Sequence, residues 1–411
     1  MKEYLRWQST SVETALKKRR VVILSGARQC GKTTLINQVA DSSPENFIFR
    51  TLDDKGLLKS ALDDPITFVK HSKGAMIIDE VQKAPDIVPA VKQVVDKDNR
   101  YGQFLLTGSA DITSLPEVSE SLAGRVKNIR LRPLTNGEIL GKMPSFIEKC
   151  FAKDFPVQIK GFDKETLIKQ AFRGGYPEAV KMHPQDRKDW HKDYREALFK
   201  RDLKNIANIS RQDVIRELFA ILNSWSGKYM DLSNIGSNLA VSRITLGTYI
   251  NALKTLFLFE SVKPWLKTDY DRVGKKDKIY STDTGIMTSS LDWKESDVLL
   301  DSDKSGKLIE TLVFNELAAQ IDFADRYALY QYRDRAKREI DFIIEDSSGA
   351  LTAIEVKSSA VADSSDFKHI RWFKENVADN KKFTGVVLYS GENTISFRNN
   401  MYAVPLACLW E

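Results

Sequence analysis

The sequence predicts a multidomain α/β protein that opens with a parallel sheet covered by helices on both faces. Three observations carry this reading. Short β-branched runs alternate with amphipathic stretches between Val21 and Leu131, which is the pattern of strand–helix–strand units. The first run leads straight into a glycine-rich turn and then into helical spacing. After Pro133 the alternation stops and a long helical stretch begins, so a second architecture follows.

Taken in order, Val21–Ser25 reads as a buried strand feeding a loop, and 32–40 as the helix behind it. Further strands are predicted at 47–52, 74–79, 103–107 and 126–131. A helix is predicted at 86–96, with Val88, Val91, Val94 and Val95 on one face. Residues 137–222 read as mostly helical. The charged run 186–204 is a solvated helix face, and Gly174, Gly175, Tyr176 and Pro177 break the region. From Asp231 the spacing predicts a helix-turn-helix: a helix over 232–239, a turn with Ser242 as N-cap, and a helix over 243–256. That second helix turns Ile244, Tyr249, Ile250, Leu253, Leu256 and Phe257 inward. Phe259–Val262, a basic turn-rich stretch and 278–280 read as a hairpin wing. The last third predicts a helix over 308–320, strands at 328–332, 339–344 and Leu351–Val356, a helix over 365–376 and a strand at Phe383–Tyr389. The implied domains are 1–136, 137–222, 223–282 and 283–411.

A chain of 411 residues has room for two to four domains, and 42% hydrophobic residues can fill several cores. The longest apolar runs, 21–24 and 253–259, fall far short of the roughly 20 residues that span a bilayer. The first residues carry no apolar stretch of a secretory signal, so a cytoplasmic protein without membrane partners is expected. Cys30, Cys150 and Cys408 are spaced for neither a zinc site nor a disulfide framework. Cys30 is either a small filler or a redox switch. Of the net charge of +6, most falls between Ser224 and Tyr280, where nine Lys/Arg face five Asp/Glu. A local basic excess points toward nucleic acid.

Gly26, Ala27, Arg28, Gln29, Cys30, Gly31, Lys32 and Thr33 match the phosphate-binding pattern G-x-x-x-x-G-K-[ST]. Backbone N–H groups and a helix N-terminus would cradle ATP phosphates there, with Thr34 next in line. Lys32 would reach the outer phosphates and the Thr33 hydroxyl would bind Mg2+. Asp79 closes an apolar strand, where a second metal ligand belongs. Glu80 follows it, placed to polarise the attacking water. Ser109 ends another strand, either as a γ-phosphate sensor or as part of a plain turn.

Residues 26–33, Ile77 to Glu80, Leu106 to Ser109 and Leu122 to Arg125 resemble the AAA-type ATPase module of a widespread bacterial and archaeal family. In that family the ATPase is followed by a helical lid, a winged helix and a restriction-endonuclease-like domain. The resemblance covers nearly the whole chain. It implies that Arg125 contacts phosphate, in its own subunit or in a neighbour of a homo-oligomer. It also likens the turn before Pro177 to a lid turn whose proline packs near the nucleotide base.

Thirteen residues separate Asp341 from Glu355, and Glu355 and Lys357 alternate on one strand face. Two carboxylates and a lysine on neighbouring strands can hold Mg2+ and aim a water at a phosphodiester. This set resembles a PD-(D/E)xK nuclease core, with Glu310 as the extra helical acid, although Ile340 stands where the proline would be. The other readings are an edge strand with solvent-facing charges and a nuclease fold that no longer cuts. On the helix after Ser242, Arg243, Thr245 and Thr248 can reach DNA, or the helix serves as a strut between domains. The sequence thus predicts a Mg2+-dependent ATPase controlling a DNA-binding winged helix and a metal-dependent nuclease-like domain. Its rivals are a non-cutting switch that binds DNA or protein, and a DNA-remodelling motor.

Overall fold

The computed structural model describes residues 4–42, 47–70, 74–110, 124–203, 211–237, 239–267 and 275–410. Leu122, Ala123, Lys204, Asn238 and the middle of the basic turn-rich stretch lie outside them. The chain forms two compact units: Met1–Pro133 with Thr255–Phe257, and Leu134–Lys254 with Leu258–Glu411.

The first unit is built on five strands: β1 (Val21–Ser25), β2 (Ile48–Thr51), β3 (Met76–Asp79), β4 (Phe104–Gly108) and β5 (Val126–Arg130). They form one parallel sheet in the order β2-β3-β4-β1-β5. The predicted strands are all there. β1 is an interior strand and every residue in it is buried, so its run Val-Val-Ile-Leu shows no polar alternation. The helices Lys32–Ser42 and Ile87–Lys97 match their predicted spans. The sequence reading misses Gln8–Leu16, Lys55–Asp63 and Pro65–Val69. Lys55–Asp63 sets Leu57, Leu58, Ala61 and Leu62 at helical spacing but buries only Ala61. Its start signals were nonetheless present: Asp54 and Asp64 accept N–H bonds from Leu57 and Thr67, and Pro65 opens the second helix.

The second unit holds two sheets. β6 (Lys228–Tyr229), β7 (Phe259–Val262) and β8 (Lys278–Ser281) pair antiparallel with β8 in the middle. β9 (Tyr327–Arg333), β10 (Glu339–Asp346), β11 (Leu351–Val356), β12 (Phe383–Tyr389), β13 (Ile395–Phe397) and β14 (Met401–Pro405) form a mixed sheet in the order β13-β14-β12-β11-β10-β9. The last two strands are not predicted from sequence. The segments 137–222, 223–282 and 283–411 pack into one unit because they share a core. Phe146 and Leu167 from the first, Val262 and Tyr280 from the second, and Phe314, Phe342 and Trp410 from the third lie in a single apolar cluster.

The helices Leu232–Ile235 and Arg243–Thr255 stand in the predicted order. Ser242 caps the second, accepting the Thr245 N–H at 3.1 Å. Ile244 does not turn inward as predicted but is 84% exposed. The buried face is Leu246, Tyr249, Ile250 and Leu253, and a residue two positions before Leu246 points to the opposite side of a helix. Among the described residues no helix is long and apolar enough to cross a membrane.

Candidate functional site

The glycine-rich turn leaves the carboxyl end of β1 and enters the helix Lys32–Ser42, at the edge where open parallel sheets bind ligands. Its shape is fixed by close packing. A Cβ on Gly26 would stand 2.1 Å from the Leu131 carbonyl oxygen, and Gly31 has φ 100°. The buried Cys30 thiol donates to the same Leu131 carbonyl at 3.5 Å, which fits the filler reading of that cysteine. Arg6, which the sequence reading overlooks, is buried and donates to the Cys30 carbonyl at 2.7 Å and the Arg132 carbonyl at 2.5 Å. It ties the loop to the segment after β5. Lys32 is buried, and its ammonium donates to the Gly26 and Ala27 carbonyls, both at 2.9 Å. Gln29 on the loop and Thr33 and Thr34 in the first turn of the helix are exposed, while Arg28 is half-buried.

Asp79 ends β3, and β4 lies between β3 and β1. The register still sets Asp79, Thr107 and Leu24 level at the carboxyl edge. Thr33 Oγ1 donates to Asp79 Oδ2 at 3.4 Å, and Thr107 Oγ1 donates to Asp79 Oδ1. Burial raises the Asp79 carboxyl above its ordinary range, against the Thr107 hydrogen bond that lowers it. The Thr33–Asp79 oxygen spacing suits neighbouring ligands of an octahedral Mg2+, which stand about 3 Å apart when each bond is about 2.1 Å. Glu80 adopts a left-handed conformation at φ 60°, which costs energy outside glycine and clusters at functional sites. Its carboxylate accepts from Ser109 Oγ at 3.0 Å and from Gln82 Nε2, which also donates to Ser109 Oγ at 2.9 Å. Ser109 therefore touches the candidate general base, Thr107 of the Leu106 to Ser109 motif serves Asp79, and Gln82 joins the site unannounced by any motif.

Of the remaining nucleotide-site candidates, one stands elsewhere in the first unit and one belongs to the second unit. Arg125 precedes β5, and its carbonyl accepts the Val21 N–H at 3.3 Å. That is the amino edge of the sheet, roughly 15 Å from the loop at about 3.3 Å per residue along β1. Its side chain pairs with Asp96, so it does not reach the loop of its own chain. Pro177 is the first residue of the helix Pro177–Val180 in the second unit, where its missing N–H costs nothing. The turn before it is buried: Gly175 donates to Asp283 Oδ2 at 2.7 Å and accepts from the Leu134 N–H at 2.6 Å.

In the second unit, β10 and β11 pair so that Phe342 faces Ile354, which sets Asp341 opposite Glu355. A register shift between Ile340 and Ile343 against β9 marks an irregularity across Asp341 and Phe342, a device that re-aims side chains. Two of the three predicted acids, Glu310 and Asp341, converge on a lysine, together with Glu339, which the sequence reading overlooks. Lys278 Nζ lies 2.8 Å from Glu339 Oε1, 3.1 Å from Glu310 Oε1 and 3.2 Å from Asp341 Oδ1. Lys278 is fully buried. Tyr280, two residues along the same face of β8, donates to Glu310 Oε1 at 2.7 Å. Asp341 Oδ2 accepts the Val356 N–H at 3.0 Å, and Lys357 donates to Glu355 Oε1 at 3.0 Å. Burial lowers the Lys278 pKa, but Glu310, Tyr280, Asp341 and Glu339 outweigh it and leave the group well above its ordinary value. Burial lifts Glu310 to about 7 and, with the Asp341 charge, Glu355 to about 8. Among the described residues no three His, Cys, Asp or Glu side chains are grouped to hold a metal ion.

Arg243 and Thr248 are exposed on the helix Arg243–Thr255, and Thr245 is half-buried with its hydroxyl 2.9 Å from Ser242 Oγ. The basic excess of the region is partly internal. Lys278 lies among acids, Lys276 pairs with Asp231 at 2.6 Å and Lys254 donates to Ser261 at 2.6 Å.

The fold and the loop define the first unit as a P-loop ATPase-like domain of AAA type. Residues 18–140 match a family described as an AAA domain. Residues 164–297 and 305–409 match two families, each described as a domain of unknown function. An uncharacterized protein of Mycobacterium tuberculosis is 26% identical over 393 residues, covering 95% of this chain and 81% of that protein. One of Methanocaldococcus jannaschii is 22% identical over 330 residues, covering 72% and 67%. Among solved structures, a Walker-type ATPase of Pyrococcus abyssi overlays with a TM-score of 0.43 at 15% identity, over 69% of this chain and 94% of that one. A Holliday junction branch migration motor, RuvB of Thermotoga maritima, gives 0.30 at 16%, over 62% and 89%. The assignment of the first unit rests on the family match and the loop geometry rather than on these overlays.

Proposed function

We propose that this chain binds and hydrolyses ATP with Mg2+, and that its nucleotide state controls a DNA-contacting second unit. The observation that carries the ATPase reading is the convergence of Lys32, Thr33, Asp79, Glu80 and Ser109 on one edge of the sheet. Thr33 and Asp79 would hold the metal, which neutralises phosphate charge when bound. Lys32 would exchange its bonds to the loop carbonyls for the outer phosphates. Glu80 would take the proton of the attacking water, with Ser109 fixing its carboxylate. Lys32→Ala should abolish ATP binding in a filter or calorimetric assay. Glu80→Gln should bind ATP and turn it over slowly; a normal rate removes Glu80 from the chemistry. The position of Arg125 at the far edge of the sheet supports a contact with a neighbouring subunit's nucleotide. Mass measurement with and without ATP tests that assembly.

For the second unit, the order helix, strand, two helices and two strands supports a winged helix, and Arg243, Thr245 and Thr248 are its candidate DNA contacts. The strand order around Asp341, Glu355 and Lys357 supports a nuclease-like fold. The Lys278 cluster favours the reading in which that fold binds DNA or a protein without cutting. Plasmid nicked by wild type in Mg2+ or Mn2+, and left intact by Asp341→Ala, would restore the cutting reading. Duplex DNA binding should weaken on Arg243→Ala; unchanged binding removes this helix as the contact.

A further inference from the structure

A divalent metal in a nuclease-like site would need the Glu310, Asp341 and Glu355 carboxylates to turn toward one point. Two of the three turn toward Lys278 instead. An ammonium has three N–H donors; here two go to Glu310 and Asp341, and Glu339 adds a third carboxylate as an ion pair at 2.8 Å. The lysine is not a loose neighbour. It sits on β8, the middle strand of its sheet, opposite Tyr229 on one side and Val262 on the other. Its backbone is therefore held from both edges, and the side chain is sealed from water. Tyr280 on the same strand face adds a hydroxyl to Glu310. The strand thus presents a complete cation and its supporting donor to the acids, and a divalent ion has no room beside Nζ within bonding reach of the same oxygens. One carboxylate oxygen of the set, Glu355 Oε2, is buried with no hydrogen-bond partner. It marks the side of the cluster that the ammonium does not serve.

We propose that the Lys278 ammonium is the resident cation of the Glu310, Glu339 and Asp341 carboxylates, so that the site takes up a divalent metal only when that ammonium is removed. The inference rests on the nuclease-like reading of the second unit, in which these acids would otherwise be metal ligands. It makes β8 an internal block on metal chemistry. It also explains why a full set of acids and a lysine can persist without forming a metal site: the charge they need is supplied by the chain.

The test is Mn2+ titration of the full chain by calorimetry, with Asp341-dependence as the filter that removes any binding at the nucleotide loop. Wild type and Asp341→Asn should bind Mn2+ alike. Lys278→Met, which keeps the stem volume and removes the charge, should gain a site at least about tenfold tighter than any in wild type. That site should vanish in Lys278→Met/Asp341→Asn. Wild-type Mn2+ binding that depends on Asp341 would overturn the proposal, and this arm stands even if Lys278→Met fails to fold. A folded Lys278→Met with no gained site would also overturn it. Plasmid nicking separates the underlying reading: a gained Mn2+ site with intact plasmid upholds the block and discards the nuclease chemistry. A gained site with nicked plasmid upholds both.

Discussion

Glu316 gives the sharpest handle on how this chain is held together. It lies mid-way along the helix Ser302–Ala324, in the apolar core of the second unit, and is only 2% exposed. Oε1 accepts the Asn136 N–H at 2.7 Å, and Oε2 is buried with no partner. Burial pushes its pKa up to about 8, against the Asn136 hydrogen bond and Arg173, with Glu138 adding to the rise. The folded state therefore keeps this proton across neutral pH, while the unfolded chain loses it near its ordinary value. Its contribution to stability is full below about pH 4.5 and is lost as pH rises toward about 8, with a slope of about 1.4 kcal/mol per unit. Over the window the loss is on the order of several kcal/mol, an upper bound given that the fold can relax. Glu316→Gln keeps the acceptor for Asn136, places an amide where the orphaned oxygen sits and carries no proton to lose. The variant should match wild type near pH 5 and exceed it by several kcal/mol at pH 8. Urea unfolding at both pH values, followed by tryptophan fluorescence, reports it well, because six of the seven tryptophans lie in the second unit. Glu310 and Glu355 titrate in the same direction but are common to both proteins and cancel in the difference. A wild-type minus variant difference that does not change with pH would refute the reasoning.

Three further outcomes are expected. Arg6→Ala leaves the Cys30 and Arg132 carbonyls without their buried donor, at about 1–3 kcal/mol each. The first unit should melt earlier and bind ATP more weakly, while Arg6→Lys, unable to fork, should recover only part of both. Thr107→Val keeps the shape of β4 but removes the donor to Asp79, whose carboxyl should then titrate still higher. The Mg2+ concentration that half-supports ATP turnover should rise about tenfold, the equivalent of about 1.4 kcal/mol for a hydrogen bond to a charged group. All three cysteines are buried, so none should react with a thiol-specific chromogen in the native protein, and all should react in urea; fast native labelling of Cys30 would revive its redox reading.

The nucleotide site was legible because its parts are local. Gly26 to Thr33 is one turn between one strand and one helix, and Asp79 and Glu80 end an apolar run. The strands of the first unit were legible for the same reason: a buried run of β-branched residues bounded by turn residues has few other uses. What escaped was chemistry supplied from a distance. Arg6 reaches a carbonyl 126 residues away, and Thr107 reaches Asp79 across 28. Arg6 carries no pattern of its own, and Thr107 stands in the Leu106 to Ser109 motif, which gives no hint of its bond to Asp79. The helices Lys55–Asp63 and Pro65–Val69 escaped because both are short, although capping residues announce them.

Lys278 shows the limit most clearly. Strand alternation alone places Glu355 and Lys357 on one face, and the pairing of β10 with β11 sets Asp341 opposite Glu355. The same linear reading counts Lys278 as one more base in a positive stretch and so as a pointer to nucleic acid. Its actual partners lie 32 and 63 residues away, on a helix and a strand that only the shared core brings to β8. Buried charges are kept where they are paired. The apolar pair Ile279 and Tyr280 that follows in the strand is therefore the local hint that a lysine at 278 is internal rather than solvated. Removing it strips the acids of their counter-charge, and the structure makes their response the discriminating one. If the cluster exists to hold a metal, it will recruit one when the ammonium is gone. If it exists to fasten β8 to the large sheet, it will come apart and take the second unit's stability with it, with or without Mn2+.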